Sequence, residues 1–149
     1  MNLRGKILRV VDANTNRAKE GLRVCEEISR FILESRSLTA ALKRLRHKIN
    51  CLSKGLITVP KLLEGRNSAS DTGRHIYASE LKRAGIRDIL FANMQRVKES
   101  IRVLEEFSKL INAKTAVAFK EIRYEVYGLE KKIAQRITAL YRHRQAGRR

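Results

Sequence analysis

"NTNRAKEGLRVCEEISR", residues 14–30, has the spacing of an amphipathic helix but interrupts its apolar face with polar residues. At about 100° per residue, Ala18, Val24, Cys25, Ile28 and Ile32 gather on the side of Asn14, which makes that side the buried one. Arg17 and Gly21 fall inside the same arc. Glu20 and Glu27 border it beside Val24 and Phe31, while Lys19, Glu26 and Arg30 point away and read as solvated. An unpaired guanidinium or amide is costly to bury, so Asn14 and Arg17 require partners. Those partners belong either to a structural network or to a ligand.

The irregularity occurs twice. "NMQRVKESIRVLEEFSK" (93–109) matches the first stretch at nine of 17 positions. It places Asn93, Arg96 and Ser100 inside the arc and Glu99 and Glu106 at its border. Each copy is followed by a second matched segment, "LKRLRHKI" (42–49) and "FKEIRYEV" (119–126), pairing Arg46 with Arg123 and His47 with Tyr124. The two offsets differ by two residues, as expected for an old duplication of a helical hairpin. Two copies of the Asn-x-x-Arg-x-x-Glu spacing favour an anion-binding cavity in the bundle over an accidental network. The small residues Gly21 and Ser100 suit either close helix packing or ligand space.

The spacing predicts helices over 6–34, 38–56, 80–111 and 115–142, with Ser37 and Ser79 as caps and Asn112 near the end of the third. The fold class is all-α: a bundle of about four helices built from a duplicated hairpin. No alternating run supports a sheet, although "LITVP" (56–60) has an extended character. The chain reads as one domain over 1–149: repeat 1 over 6–56, a link over 57–79, repeat 2 over 80–142 and a basic tail over 143–149. One Pro, eight Gly and no Trp agree with long helices.

The 33 Lys and Arg against 15 acids give a net charge of +18, which points to an anionic partner. The acid-free stretch after Glu130 adds seven positive residues, yet the body without it stays strongly basic. No apolar run is long enough for a membrane span or a signal peptide, so no membrane role is expected. Cys25 and Cys51 form neither a disulfide framework nor a zinc motif, which fits a reducing, cytoplasmic setting. Cys25 reads as a core residue, and His47, His75 and His143 lack metal-ligand spacing.

The link contains "EGRNSASDTGRH" (64–75), where Arg66, Asn67, Ser68 and Asp71 can cradle phosphate and hold Mg²⁺. No P-loop motif exists anywhere in the chain. A solvated connector is the competing reading of this segment.

Together, "RVVDANTNRAKEGLRVCEEISRF", "LRHKI", "RNSASDTG", "NMQRVKESIRVLEEFSKL" and "FKEIRYEVYGLEK" resemble the monofunctional hydroxymethylpyrimidine phosphate kinase family of thiamine biosynthesis. The resemblance covers residues 7–131 and excludes the basic tail. The family's central motif often reads Arg-Asp-Ser/Thr, whereas Asn67 stands at the Asp position here, which shifts the metal role to Asp71. The resemblance implies ATP-dependent phosphorylation of 4-amino-5-hydroxymethyl-2-methylpyrimidine phosphate to the diphosphate, with Mg²⁺ as cofactor. Arg17, Arg96 and Asp71 are then the catalytic candidates, the arginines clamping phosphate with Arg66. Asn14 and Asn93 read a base or phosphate edge, and Asn67, Ser68, Arg46 and Arg123 contribute to binding. Glu20, Glu99 and Asp71 serve Mg²⁺ or the pyrimidine amino group. The module is also expected fused ahead of thiamine-phosphate synthase, so association with that enzyme, or a homo-oligomer, is a further expectation.

Two other classes compete. A basic helical nucleic-acid-binding protein, the less favoured partner class, predicts arginines spread over an exposed face. A non-catalytic partner of thiamine-phosphate synthase predicts an exposed apolar groove. The kinase reading predicts arginines converging on a pocket.

Overall fold

Side-chain caps set the helix starts in the computed structural model, which describes residues 2–56 and 82–146. Helix α1, Leu3–Glu27, opens with the Asn2 side chain accepting from the Gly5 amide at 2.9 Å, satisfying a donor that has no partner inside the helix. Helix α2, Arg36–Leu56, is capped by Ser35 and not by the predicted Ser37. Ser35 Oγ accepts from Leu38 N at 3.4 Å, and its carbonyl accepts from the Thr39 hydroxyl at 2.8 Å. Helix α3, Ile86–Ser108, starts later than the pattern predicts, because Gly85 is fully extended and a poor helix former. The Asp88 carboxylate accepts from Ala84 N at 3.0 Å and fixes that start.

Helix α4, Ala113–Ala146, takes Asn112 as its own cap, whose side-chain oxygen accepts from Lys114 N at 3.0 Å and Thr115 N at 3.3 Å. Asn112 also lies just past the end of α3, as expected, where its backbone N–H donates to the Ser108 carbonyl at 2.7 Å. The first helix also ends earlier than expected: a π-turn, Ile28–Ile32, follows α1, and Glu34 takes a left-handed φ of 48°. This looser turn accounts for the two-residue difference in offset between the copies. No strand occurs among the described residues, so the fold is the all-α bundle that the sequence predicts. Ser79 and residues 57–60 of "LITVP" lie outside the described residues.

Side-chain pairs fix the helix directions. Thr15 meets Ser53 at 2.8 Å, Lys19 meets Asn50 at 3.2 Å and Glu26 meets Arg46 at 3.1 Å, so α1 and α2 are antiparallel. Lys98 meets Glu130 at 2.9 Å and Glu105 meets Arg123 at 3.0 Å, which makes α3 and α4 an antiparallel hairpin as well. One core joins the hairpins, with Leu22, Leu45, Ile49, Met94, Ile101, Leu104, Phe119 and Ile133 fully buried. Its burial supplies the main stabilisation of the bundle. The α1–α3 crossing is tight at Gly21, where an added Cβ would stand 2.7 Å from Val97 Cγ2 and 3.0 Å from the Asn93 carbonyl oxygen. Gly21 therefore serves close helix approach and not ligand space. No helix among the described residues is long and apolar enough to cross a membrane.

Candidate functional site: a cationic cleft and its counterpart face

Eight of the nine identities between the copies are polar. The buried apolar positions have changed instead, as at Ala18/Val97, Leu22/Ile101 and Cys25/Leu104. Cores accept such exchanges when volume and pattern are kept, and ordinary surface positions accept substitution at little cost. Retained polar identity therefore calls for a reason other than apolar packing.

Part of that reason is a twice-built ion network. Glu26 and Glu105 are only 4% and 5% exposed. Arg23 and Arg46 reach Glu26 at 3.1 Å each, and Arg23 also reaches Glu27 at 3.0 Å. In the second copy Arg102 reaches Glu105 and Glu106 at 2.8 Å each, while Arg123 reaches Glu105 at 3.0 Å. A carboxylate buried this far needs both guanidinium partners to offset its lost hydration. In return it fixes where those arginines stand. Arg123 commits its Nε to Glu105, which leaves its terminal N–H groups to other acceptors.

The structure corrects the inward placement of Arg17 and Arg96: both are exposed. Their long side chains leave the edge of the apolar arc and carry the charge to water. Asn14 is buried and Asn93 half-buried, and each donates to the carbonyl four residues earlier, Val10 and Ile89, at 2.8 Å. Each bond uses one N–H of its amide. Glu20 and Glu99 are exposed at the rim, with Glu99 accepting from Gln95 at 2.8 Å. Glu26, read as solvated from the sequence, is instead the buried centre of its network. Lys19, also read as solvated, is half-buried beside Asn50. Arg66, Asn67, Ser68 and Asp71 lie outside the described residues. The chain enters their link from Leu56, at the end of α2 that pairs with the Thr15 region of α1.

The second network opens onto a cleft of about 590 Å³ between α3 and α4, lined by Gln95, Lys98, Glu99, Arg102, Val103, Arg123 and Tyr127. Carried back through the duplication, these positions are Asn16, Lys19, Glu20, Arg23, Val24, Arg46 and Asn50. Five of the seven are identical, and a sixth exchanges one amide for another. The second face is aromatic as well. Lys98 Nζ sits 5.4 Å from the Tyr127 ring centroid, and the rings of Tyr127 and Tyr124 meet edge-on at 6.1 Å. Burial pulls the Arg123 guanidinium down, but hydrogen bonds to Glu105 and the Tyr127 hydroxyl outweigh it and hold it above the usual arginine value. The Lys109 hydrogen bond, helped by the nearby Arg102 charge, holds Glu106 below the usual carboxylate range.

A smaller groove of about 410 Å³ runs along α1 and is lined by Lys6, Arg9, Val10, Ala13, Asn14 and Arg17. It thus brings together Asn14 and Arg17, as the sequence predicts, but on the surface. Among the described residues no three His, Cys, Asp or Glu side chains gather as a metal site. Single rim carboxylates such as Glu20 and Glu99 fit a Mg²⁺ carried on a polyphosphate, which keeps several of its waters and takes one or two protein ligands. Sequence reasoning missed Lys19, Lys98, Arg23, Arg102 and Tyr127. Their signal was available: the two lysines and two arginines are identities of the repeat.

The profile of the ThiD2 family matches residues 9–132. The thiamine-phosphate synthase of Nostoc punctiforme is 42% identical over 141 residues, covering 93% of this chain and 39% of that protein. The Synechocystis thiamine-phosphate synthase is 41% identical over 125 residues, covering 83% of this chain and 35% of that protein. The Rhodopirellula baltica thiamine-phosphate synthase is 35% identical over 135 residues, 90% of this chain and 36% of that protein. The chain thus spans little more than a third of the length of these relatives. No solved structure shows significant similarity to it.

Proposed function

The chain belongs to the ThiD2 family, and on that premise we propose that it is an ATP-dependent kinase of thiamine biosynthesis. Its acceptor is hydroxymethylpyrimidine phosphate and its product the diphosphate. One observation carries the reading: the duplication retains Lys19/Lys98, Arg23/Arg102 and Arg46/Arg123 around two faces anchored by buried glutamates. A kinase whose acceptor is itself a phosphate ester must hold two polyanions, and two related cationic faces suit that task.

The chemistry asks mainly for positioning and charge neutralisation. An oxygen of the acceptor phosphate, already ionised at neutral pH, bonds to the γ-phosphorus of ATP as the bond to the β–γ bridging oxygen breaks and ADP leaves. No protein nucleophile is required. The arginines and lysines of the two faces hold phosphate oxygens, with the guanidinium planes oriented by Glu26 and Glu105. Arg17 and Arg96 stand on the exposed sides of α1 and α3 and extend the cationic surface. Glu20, Glu99 and the link's Asp71 are the carboxylates that would hold Mg²⁺, which when bound neutralises charge developing on the transferred phosphoryl group. A cytoplasmic site of action belongs to the same proposal.

A second reading follows from relatives that are named thiamine-phosphate synthase and are far longer than this chain: a non-catalytic partner of such a synthase. The test that separates the two is ADP release by the purified chain. The kinase reading expects release that depends on both Mg²⁺ and the pyrimidine phosphate. The partner reading expects none.

A further inference from the structure

The second-copy cleft and the corresponding face of the first copy are related by duplication but differ where it matters for a ligand. Tyr127 in the second corresponds to Asn50 in the first, and Glu130 in the second corresponds to Ser53. Tyr127 is 43% exposed, with Lys98 Nζ over one face of its ring and Tyr124 edge-on to it, so a ligand would meet the part of the ring that these two leave uncovered. Its twin Asn50 uses its side-chain oxygen to accept from Lys19 at 3.2 Å. Ser53 is turned inward onto Thr15 at 2.8 Å, whereas Glu130 holds Lys98 through both carboxylate oxygens at 3.0 and 2.9 Å.

Two physical consequences follow. An exposed aromatic ring next to cations binds a flat heterocycle by stacking, at a strength that an amide does not match. Because Lys98 Nζ lies 5.4 Å from the Tyr127 centroid, a ring stacked there uses that ammonium only if a short link joins it to its phosphate. Charge points the same way. Lys98 is neutralised by Glu130, so the second cleft has less positive charge to spare and suits a monophosphate. Lys19 has an uncharged amide as its hydrogen-bond partner, so the first face keeps a cation for a more highly charged ligand.

We propose a division of labour. The Tyr127 cleft binds the heterocyclic monophosphate by stacking, and the Lys19–Arg23–Arg46 face binds the nucleotide's phosphates without stacking a base. The assignment rests on the kinase reading for the identity of the two ligands, and it makes Tyr127 a specificity-determining residue.

Calorimetric titration of the full chain tests it, using a non-hydrolysable ATP analogue with Mg²⁺ and the pyrimidine monophosphate in separate experiments. Tyr127→Leu is expected to weaken the pyrimidine phosphate about tenfold or more and leave the nucleotide within about twofold. Tyr127→Phe restores most of that loss, because the stacking face remains. Lys19→Gln shows the opposite pattern, weakening the nucleotide about fivefold to tenfold and sparing the pyrimidine phosphate. Circular dichroism on each variant separates unfolding from lost binding. Nucleotide affinity that follows Tyr127, equal losses for both ligands, or no loss for either overturns the division. A wild-type chain that binds both ligands yet releases no ADP removes the kinase reading while the binding pattern still decides the division. One that binds neither overturns both.

Discussion

Arg123 reaches across the second hairpin to donate its Nε to the buried Glu105 carboxylate at 3.0 Å, and Arg46 does the same to Glu26 at 3.1 Å in the first. The two copies thus share a buried anion with one arginine from its own helix and one from the next. Removing the anion takes the carboxylate from Arg123 or Arg46 at the helix interface, while Arg102 and Arg23 keep Glu106 and Glu27. Glu105→Ala is expected to cost about 1.5–3 kcal/mol, and Glu26→Ala somewhat less, because Arg46 is more exposed than Arg123, at 28% against 14%. The surface pair Lys48–Glu125, roughly half exposed on both sides, should cost under about 1 kcal/mol when broken. Urea unfolding midpoints for Glu105→Ala, Glu26→Ala and Glu125→Ala check the ranking.

The crossing of α1 and α3 makes a second prediction. Gly21→Ala pushes a methyl group against Val97 and the Asn93 carbonyl, and overpacking of this kind costs about 1–3 kcal/mol. The better helix propensity of alanine returns up to about 1 kcal/mol, so the net effect is destabilising. Gly128→Ala, on α4 with nothing within 4 Å of the new Cβ, gains stability of up to about 1 kcal/mol from the same propensity. Thermal unfolding of the two variants should move in opposite directions.

Glu34 is strained by its left-handed φ of 48° after the π-turn. Glycine enters that conformation without the Cβ clash. Glu34→Gly should raise stability by about 0.5–1 kcal/mol, where a glycine placed in a helix interior would lower it. Denaturant unfolding gives the sign directly.

The two thiols should behave differently. Cys51 is exposed, with its Sγ 3.4 Å from His47 Nε2, while Cys25 is fully buried. A thiol reagent should therefore label one equivalent quickly and the second only as the protein unfolds. Burial, with the Glu130 charge adding to it, pushes the Cys25 thiol from 9.0 up to about 12. Below pH 9 both states keep that proton. Between about 9 and 12 the unfolded state releases it and the folded state does not, so stability falls as pH rises. This group alone contributes a slope of about 1.4 kcal/mol per pH unit in that window. Cys25→Val should flatten the alkaline stability curve relative to the parent protein.

The repeat was legible because Asn14/Asn93 and the charged positions around them stayed identical while the core drifted. Hairpin pairing followed from the second match, Arg46 with Arg123. The facing of particular side chains was harder to read. A helical wheel centred on Asn14 finds one buried direction, but α1 packs against both α2 and α3. Glu26 lies toward α2, outside the arc that faces α3, and so looked solvated. Arg17 lies within that arc, yet its length lets the guanidinium escape to water. The retained Glu26/Glu105 and Arg46/Arg123 pairs carried the missing signal, since a buried carboxylate and its arginine must persist together. The cap was misjudged for a local reason: Ser35 and Ser37 are both competent cap residues two positions apart, and the helix starts at the first of them.

The most direct test of the account is product formation followed by phosphorus NMR, with purified chain, ATP, Mg²⁺ and hydroxymethylpyrimidine phosphate. The account predicts that diphosphate resonances of the pyrimidine grow as ATP is converted to ADP. It predicts a loss of about tenfold or more in rate for folded Arg46→Ala and for folded Arg123→Ala, each acting through a different one of the two related faces. A well-folded parent chain that leaves the pyrimidine monophosphate unchanged contradicts the account.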